Sequence, residues 1–173
     1  LLGTGLLWFG CFGFNAGSGL LADSTAVSAF LVTNTSAAVA GLVWMVLDYQ
    51  STGRVSAVGF ATGVIAGLAS ITPAAGFVGP MGALAIGTIG SIAAYTTVKL
   101  MAKTSIDDAL EVFAVHGVGG LWGTIATGIF ATGGVGLIDG DSDLLWANFR
   151  AAVAVVIYSG IASFIILKIL DLI

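Results

Sequence analysis

The 173-residue sequence predicts an all-α membrane protein with six transmembrane helices, and three observations carry that prediction. Composition is the first: 58% of residues are hydrophobic and 8% charged, against about a quarter charged in a water-soluble domain. Polar groups cannot cover such a surface against water, so lipid is the proper solvent. The second is the placing of the 5 basic and 9 acidic side chains, which leaves residues 1–22, 24–47, 55–98, 112–138 and 151–167 free of charge. The third is the absence of the ~10-residue alternating segments that a β-barrel needs. Mean hydropathy is +1.10. Disorder is excluded by these figures, and collagen by 26 glycines that follow no three-residue period. The single Cys11 excludes an intramolecular disulfide and a Cys-rich metal site. So few basic residues exclude nucleic acid as a partner. No nucleophile–base pair or cofactor motif supports an enzyme, and no cofactor is expected.

A helix needs ~20 apolar residues to cross the hydrocarbon core, so the gaps 1–22, 24–47 and 112–138 each hold one span. The first is expected at 1–19 and the second at 26–47. The long gap 55–98 holds two, at 56–72 and 79–101, broken at Thr72-Pro73-Ala74-Ala75-Gly76-Phe77-Val78-Gly79-Pro80. The fifth span is expected at 108–132, with Asp107 and Asp108 near its head as cap and dipole partners. The sixth, at 144–170, ends near Lys168, whose long side chain can snorkel to the headgroups. Arg54, Lys99, Lys103 and Lys168 fall on one side of an alternating path and Asp23, Asp139, Asp141 and Asp143 on the other, with Arg150 dissenting. By the distribution of positive charge, the basic side and both termini are cytoplasmic. Leu1 opens directly into an apolar span with no basic leader, so the chain is expected to be part of something longer.

Helices in lipid associate by close packing over small residues, and Gly59, Gly63 and Gly67, then Gly82, Gly87 and Gly90, then Gly117, Gly120, Gly123 and Gly128 form such faces. Trp44, Trp122 and Trp146 read as packing or interfacial anchors. Asn15 and the Thr33-Asn34-Thr35-Ser36 run read as interhelical hydrogen-bonding groups, and the sequon in that run lies within a span. His116 is the only histidine, and at membrane depth an ionisable group faces the bundle interior or a pore and has a partner. Glu111 is placed one turn into the same helix, pointing elsewhere, so a metal site at His116 is not expected. In the first span Leu7, Cys11, Phe14 and Ser18 share one helical face, on which an aromatic ring and a hydroxyl can hold a small cation.

Three stretches together resemble one family. They are Trp8-Phe9-Gly10-Cys11-Phe12-Gly13-Phe14-Asn15-Ala16-Gly17-Ser18, then Ala61-Thr62-Gly63-Val64-Ile65-Ala66-Gly67-Leu68 with Thr72-Pro73-Ala74-Ala75-Gly76, and the run from Asp107-Asp108 to Val115-His116-Gly117-Val118-Gly119-Gly120. In this order they resemble the ammonium transporter (Amt/Mep/Rh) family, Amt/Mep branch. The resemblance implies the second half of an eleven-helix inverted-repeat fold, spans six to eleven. The second five-helix repeat would occupy about 1–132 and the long final helix about 144–173, with the N-terminal repeat absent. It implies a homotrimer with one pore per subunit, in the plasma membrane, with a cytoplasmic C-terminus. Phe14 would be one of two stacked phenylalanines gating the outer mouth, and Ser18 the hydroxyl that recruits ammonium. His116 would be the second of twin histidines, and Leu7 and Val112 would line the inner pore. Ammonium, ammonia and methylammonium are the implied substrates, and a PII-type signal protein the implied cytoplasmic partner.

The physics of such a pore follows. A dry channel of Leu, Val and Phe rejects a bare cation by its desolvation cost, whereas neutral ammonia passes. Ammonium would be recruited, deprotonated with histidine assistance, and its proton conducted separately along paired imidazoles. Two features depart from the family. Cys11 stands where another aromatic residue is usual, and the partner histidine, first phenylalanine gate, recruiting tryptophan and a structural aspartate belong to the absent repeat. The 173 residues alone are therefore expected not to transport. Two other readings remain: a non-transporting ammonium sensor of the same family, and a generic channel or proton-coupled carrier with His116 as relay.

Overall fold

The structure is a computed structural model that describes residues 1–172. Six apolar helices occur where the charge gaps place them: α1 (Leu2–Gly17), α2 (Ser24–Thr52), α3 (Ala57–Ile71), α4 (Pro80–Met101), α5 (Phe113–Phe130) and α6 (Asp143–Leu170). By length and composition α2, α4, α5 and α6 can each cross a membrane. The other two are shorter, at 16 residues for α1 and 15 for α3, and α3 runs on into the turn at Thr72–Val78.

Local chemistry sets the helix ends. Asp23 accepts the Ala26 N–H at 2.9 Å to start α2, and Gly53, at φ 71°, closes it in the left-handed conformation that glycine adopts without strain. Ser56 accepts the Gly59 N–H at 3.2 Å to start α3. Pro80 opens α4, where its missing N–H would have had no helical partner.

The helix α5 departs from expectation at its head. Its first turns, Phe113–Val118, are π-helical, and the α-helix proper runs over Gly119–Phe130. Residues 107–111 are not helical: Glu111 sits at φ 57°, a conformation strained for a residue with a Cβ, and so precedes the helix instead of lying one turn into it. Asp108 nevertheless caps the helix as expected, accepting the N–H of Val112 at 2.9 Å and of Phe113 at 3.1 Å. Asp107 makes no such bond among the described residues.

Helix α2 is the hub, packed along α3 and α4 and carrying α1 on a third side. The Gly59/Gly63/Gly67 face of α3 lies on Ser36, Ala40, Trp44 and Asp48 of α2, so closely that a Cβ at Gly67 would stand 2.6 Å from the Ser36 carbonyl oxygen. Buried polar side chains tie the same crossings. Ser36 Oγ donates to Gly67 O at 2.9 Å, Ser91 Oγ to Ala40 O at 2.8 Å, and Asn15 Nδ2 to Thr33 Oγ1 at 3.0 Å. Trp44 is buried edge-on against Tyr95, and Trp122 donates to Ile86 O at 3.0 Å, so both serve as packing anchors. Helix α6 is different: it leans on α5 and buries none of its residues. The bundle is thus packed on one side and open on the other.

Two contacts confirm the alternating path. Gly76, in the turn between α3 and α4, approaches Thr25 at the start of α2, and Thr132 N donates to Phe77 O at 2.8 Å. The α1–α2 turn, the α3–α4 turn and the end of α5 therefore share one end of the bundle.

Candidate functional site

On α1, the flank packed on α2 and α3 carries Trp8, half-buried Cys11 and buried Asn15, while the adjoining flank leaves Leu7 51% and Phe14 65% exposed, so Cys11 turns partly into the core at the edge of the face it shares with them. Gly3, Gly10 and Gly17 lie on that open side, seven residues apart, with nothing within reach of a Cβ at any of them. Ser18, just past the helix end, donates its hydroxyl to the Phe14 carbonyl. Phe14 and Ser18 line a cavity of about 240 Å³ with Asn15, Thr72 and Phe77 at the shared end of the bundle. Phe12, two residues before Phe14, stacks on Phe30 of α2 at 3.9 Å between centroids.

The π-helical start of α5 places the second group. Val112 is 52% exposed, His116 is exposed, and the intervening Ala114 and Val115 are buried against the bundle. His116 lines a cavity of about 680 Å³ between the end of α3, α5 and α6, walled by Phe113, Gly117, Gly120 and Val155. A Cβ at Gly120 would meet nothing, so this glycine leaves space on the cavity wall, whereas a Cβ at Gly117 would stand 3.2 Å from the Phe113 ring. The imidazole has the cavity expected of it but not the partner, since it makes no hydrogen bond among the described residues. Among those residues no cluster of His, Cys, Asp and Glu could hold a metal.

Leu7, Phe14, Val112 and His116 thus all point out of the packed half, and Thr72 stands between their two cavities, lining both. In the sequence Thr72-Pro73 marks a helix break and part of the family resemblance but no site; the missed signal is that a threonine at such a break has a hydroxyl that can face a cavity. A further cavity of about 680 Å³, walled by Pro73, Thr124, Asp141, Asp143 and Asn148, adjoins that of His116. It shares Pro73 and Thr124 with it. The α5–α6 side is a cleft that is mainly apolar around His116 and carries Asp141, Asp143 and Asn148 at its other end.

A family model described as the Ammonium Transporter Family matches residues 1–173. The chain is 46% identical over 175 residues to the ammonium transporter Amt1 of Archaeoglobus fulgidus, covering 99% of this chain and 44% of that protein. A crystal structure of Candida albicans Mep2 superposes with a TM-score of 0.91 at 38% identity, over 99% of this chain and 40% of that one. A structure described as a sensor Amt protein matches with a TM-score of 0.80 at 38% identity, over 89% of this chain and 38% of that one. The chain thus spans less than half the length of the relatives it matches. Its fold is that of the matched structures, and the family model leaves no residue outside its match. The chain belongs to the ammonium transporter family of non-enzymatic transport proteins, and it is a multi-pass membrane protein.

Proposed function

We propose that this chain supplies half the wall of a pore that carries ammonium or ammonia across the membrane in the parent protein. One observation carries the reading: Leu7, Phe14, Val112 and His116 are all exposed, and the cavities of Phe14 and of His116, the only imidazole, meet at Thr72. In this reading residues 1–132 form the second five-helix repeat and 144–173 the final helix, and the missing repeat closes the open face. The parent assembles as a homotrimer in the plasma membrane with its C-terminus cytoplasmic, where a PII-type signal protein can dock.

The roles follow from chemistry. The Phe14 ring and Ser18 oxygen hold ammonium at the outer mouth, since a π-face attracts a cation and a hydroxyl whose proton is committed can still accept. Beyond it, Leu7 and Val112 offer no replacement for the hydration shell, so a bare cation stalls while neutral ammonia continues. His116 takes up the shed proton or passes it to a second imidazole from the missing repeat. Potassium carries no proton to shed and is refused on the same ground. Uptake of methylammonium by the full-length parent in proteoliposomes tests this: saturable flux that falls or loses selectivity in His116→Ala supports the reading. Unchanged rate and selectivity in that variant would remove the imidazole from the mechanism.

The likeness to a sensor Amt protein favours a second reading, in which the parent binds ammonium as a signal. That reading expects saturable ammonium binding to the parent without flux in the same proteoliposomes.

A further inference from the structure

Helix α6 carries Arg150, the one basic residue on the acidic side of the alternating path, and its two faces differ in kind. Asn148, Ala152, Val155 and Ser159 line the cavities beside α5, and Asn148 Nδ2 donates to Thr124 O at 2.9 Å. On the helical repeat Trp146, Arg150, Val153, Ile157, Ile161 and Lys168 fall on the opposite face, and all six are exposed. That face turns away from the cavities and, in the reading above, from the repeat that closes them. Arg150 and Lys168 are separated by about five turns, or about 27 Å of helix. The hydrocarbon core is ~30 Å thick, and no charge lies between the two residues. The back of α6 is thus an apolar stripe one hydrocarbon layer long with a cation at each end.

The two cations are not alike. Lys168 Nζ pairs with Asp171 at 3.3 Å, whereas Arg150 makes no ion pair or side-chain hydrogen bond among the described residues. Side chains on a helix lean toward its N-terminus, so Arg150 reaches over the turn that carries Trp146, toward the headgroup layer. Trp146 is 58% exposed and meets Phe149 edge-on at 5.9 Å, an amphipathic ring of the kind that settles at that layer. A guanidinium offers a planar fork of N–H groups that fits two phosphate oxygens at once, and at the edge of hydrocarbon an unpaired cation draws its counter-ion from the headgroups. We propose that Arg150 and Trp146 bind the phosphodiester of an anionic phospholipid in the leaflet at the Asp143 end of α6, the outer leaflet in the orientation given above. The lipid fastens a helix that buries none of its own residues. Arg150 then answers to a headgroup and not to the charge rule that orients the other basic residues.

The test uses Trp146 as its own reporter. The full-length parent is reconstituted in nanodiscs of phosphatidylcholine with rising fractions of phosphatidylglycerol, with bromine on the acyl chains of one lipid and then of the other. Quenching due to Trp146 is the difference between the parent and Trp146→Phe. Expected at Trp146 is a preference for phosphatidylglycerol of about fivefold, which disappears in Arg150→Gln and persists in Lys168→Gln at the far end of the same face. Equal quenching by the two lipids in the parent overturns the site, as does a preference that survives in Arg150→Gln. Absence of Trp146 quenching by either brominated lipid also overturns it, because protein then covers this face. No readout here depends on flux, so a parent that carries no ammonium leaves the lipid site standing, and loss of the lipid site leaves the transport reading standing.

Discussion

The hydroxyl of Ser36 reaches the Gly67 carbonyl across the α2–α3 crossing at 2.9 Å, inside a bundle where water cannot substitute for it. Interhelical hydrogen bonds of this kind contribute about 0.6 kcal/mol in a membrane, so Ser36→Ala is expected to lower the melting temperature in detergent only slightly. The carboxylate of Asp108 does a different task, holding two N–H groups at the head of α5 that the π-helical turn leaves without partners. Asp108→Ala should cost about 1 kcal/mol, read as faster hydrogen exchange at the amides of Val112 and Phe113 with the rest of α5 unchanged. His116 stands in contrast to both. The sequence marks it as the sole membrane-depth imidazole, and among the described residues nothing hydrogen-bonds its side chain.

At the scale of the elements, glycine decides which helices come together. At Gly67 a Cβ would stand 2.6 Å from the Ser36 carbonyl oxygen and 3.0 Å from the Ala37 Cα, neither of which can yield without separating α2 from α3. Gly67→Val is therefore expected to cost about 1–3 kcal/mol, more than Ser36→Ala at the same crossing, in the same thermal melt. All six helices were legible from charge gaps and the Pro/Gly break, because a bilayer fixes the length of an apolar run. The start of α5 was not. Over the six residues Phe113–Val118 an apolar pattern cannot separate a π-helix from an α-helix, and nothing about Glu111 foretells a left-handed backbone. The site was legible in its chemical types and illegible in its surroundings: face periodicity joined Leu7 to Phe14, but only the folded chain puts Thr72 between the cavities of Phe14 and His116.

Taken whole, the molecule has one finished side and one unfinished side. Glycine crossings and buried hydrogen bonds close the α2–α3–α4 face, whereas α6 buries nothing and the Leu7–Phe14 face of α1 is bare. The 173 residues alone are expected to give no saturable methylammonium flux in proteoliposomes, and α6 is expected to be cut by protease faster in this fragment than in the parent, as digestion in detergent would read. The central claim is that the bare face is the wall of a pore and not a surface for lipid. Val112→Trp in the full-length parent tests it most directly, since a side chain of that size is harmless against acyl chains and blocks a narrow dry pore. Methylammonium uptake at least tenfold below the parent is expected, with the melting temperature retained. Uptake equal to that of the parent would contradict it, placing Val112 against lipid and the pore elsewhere.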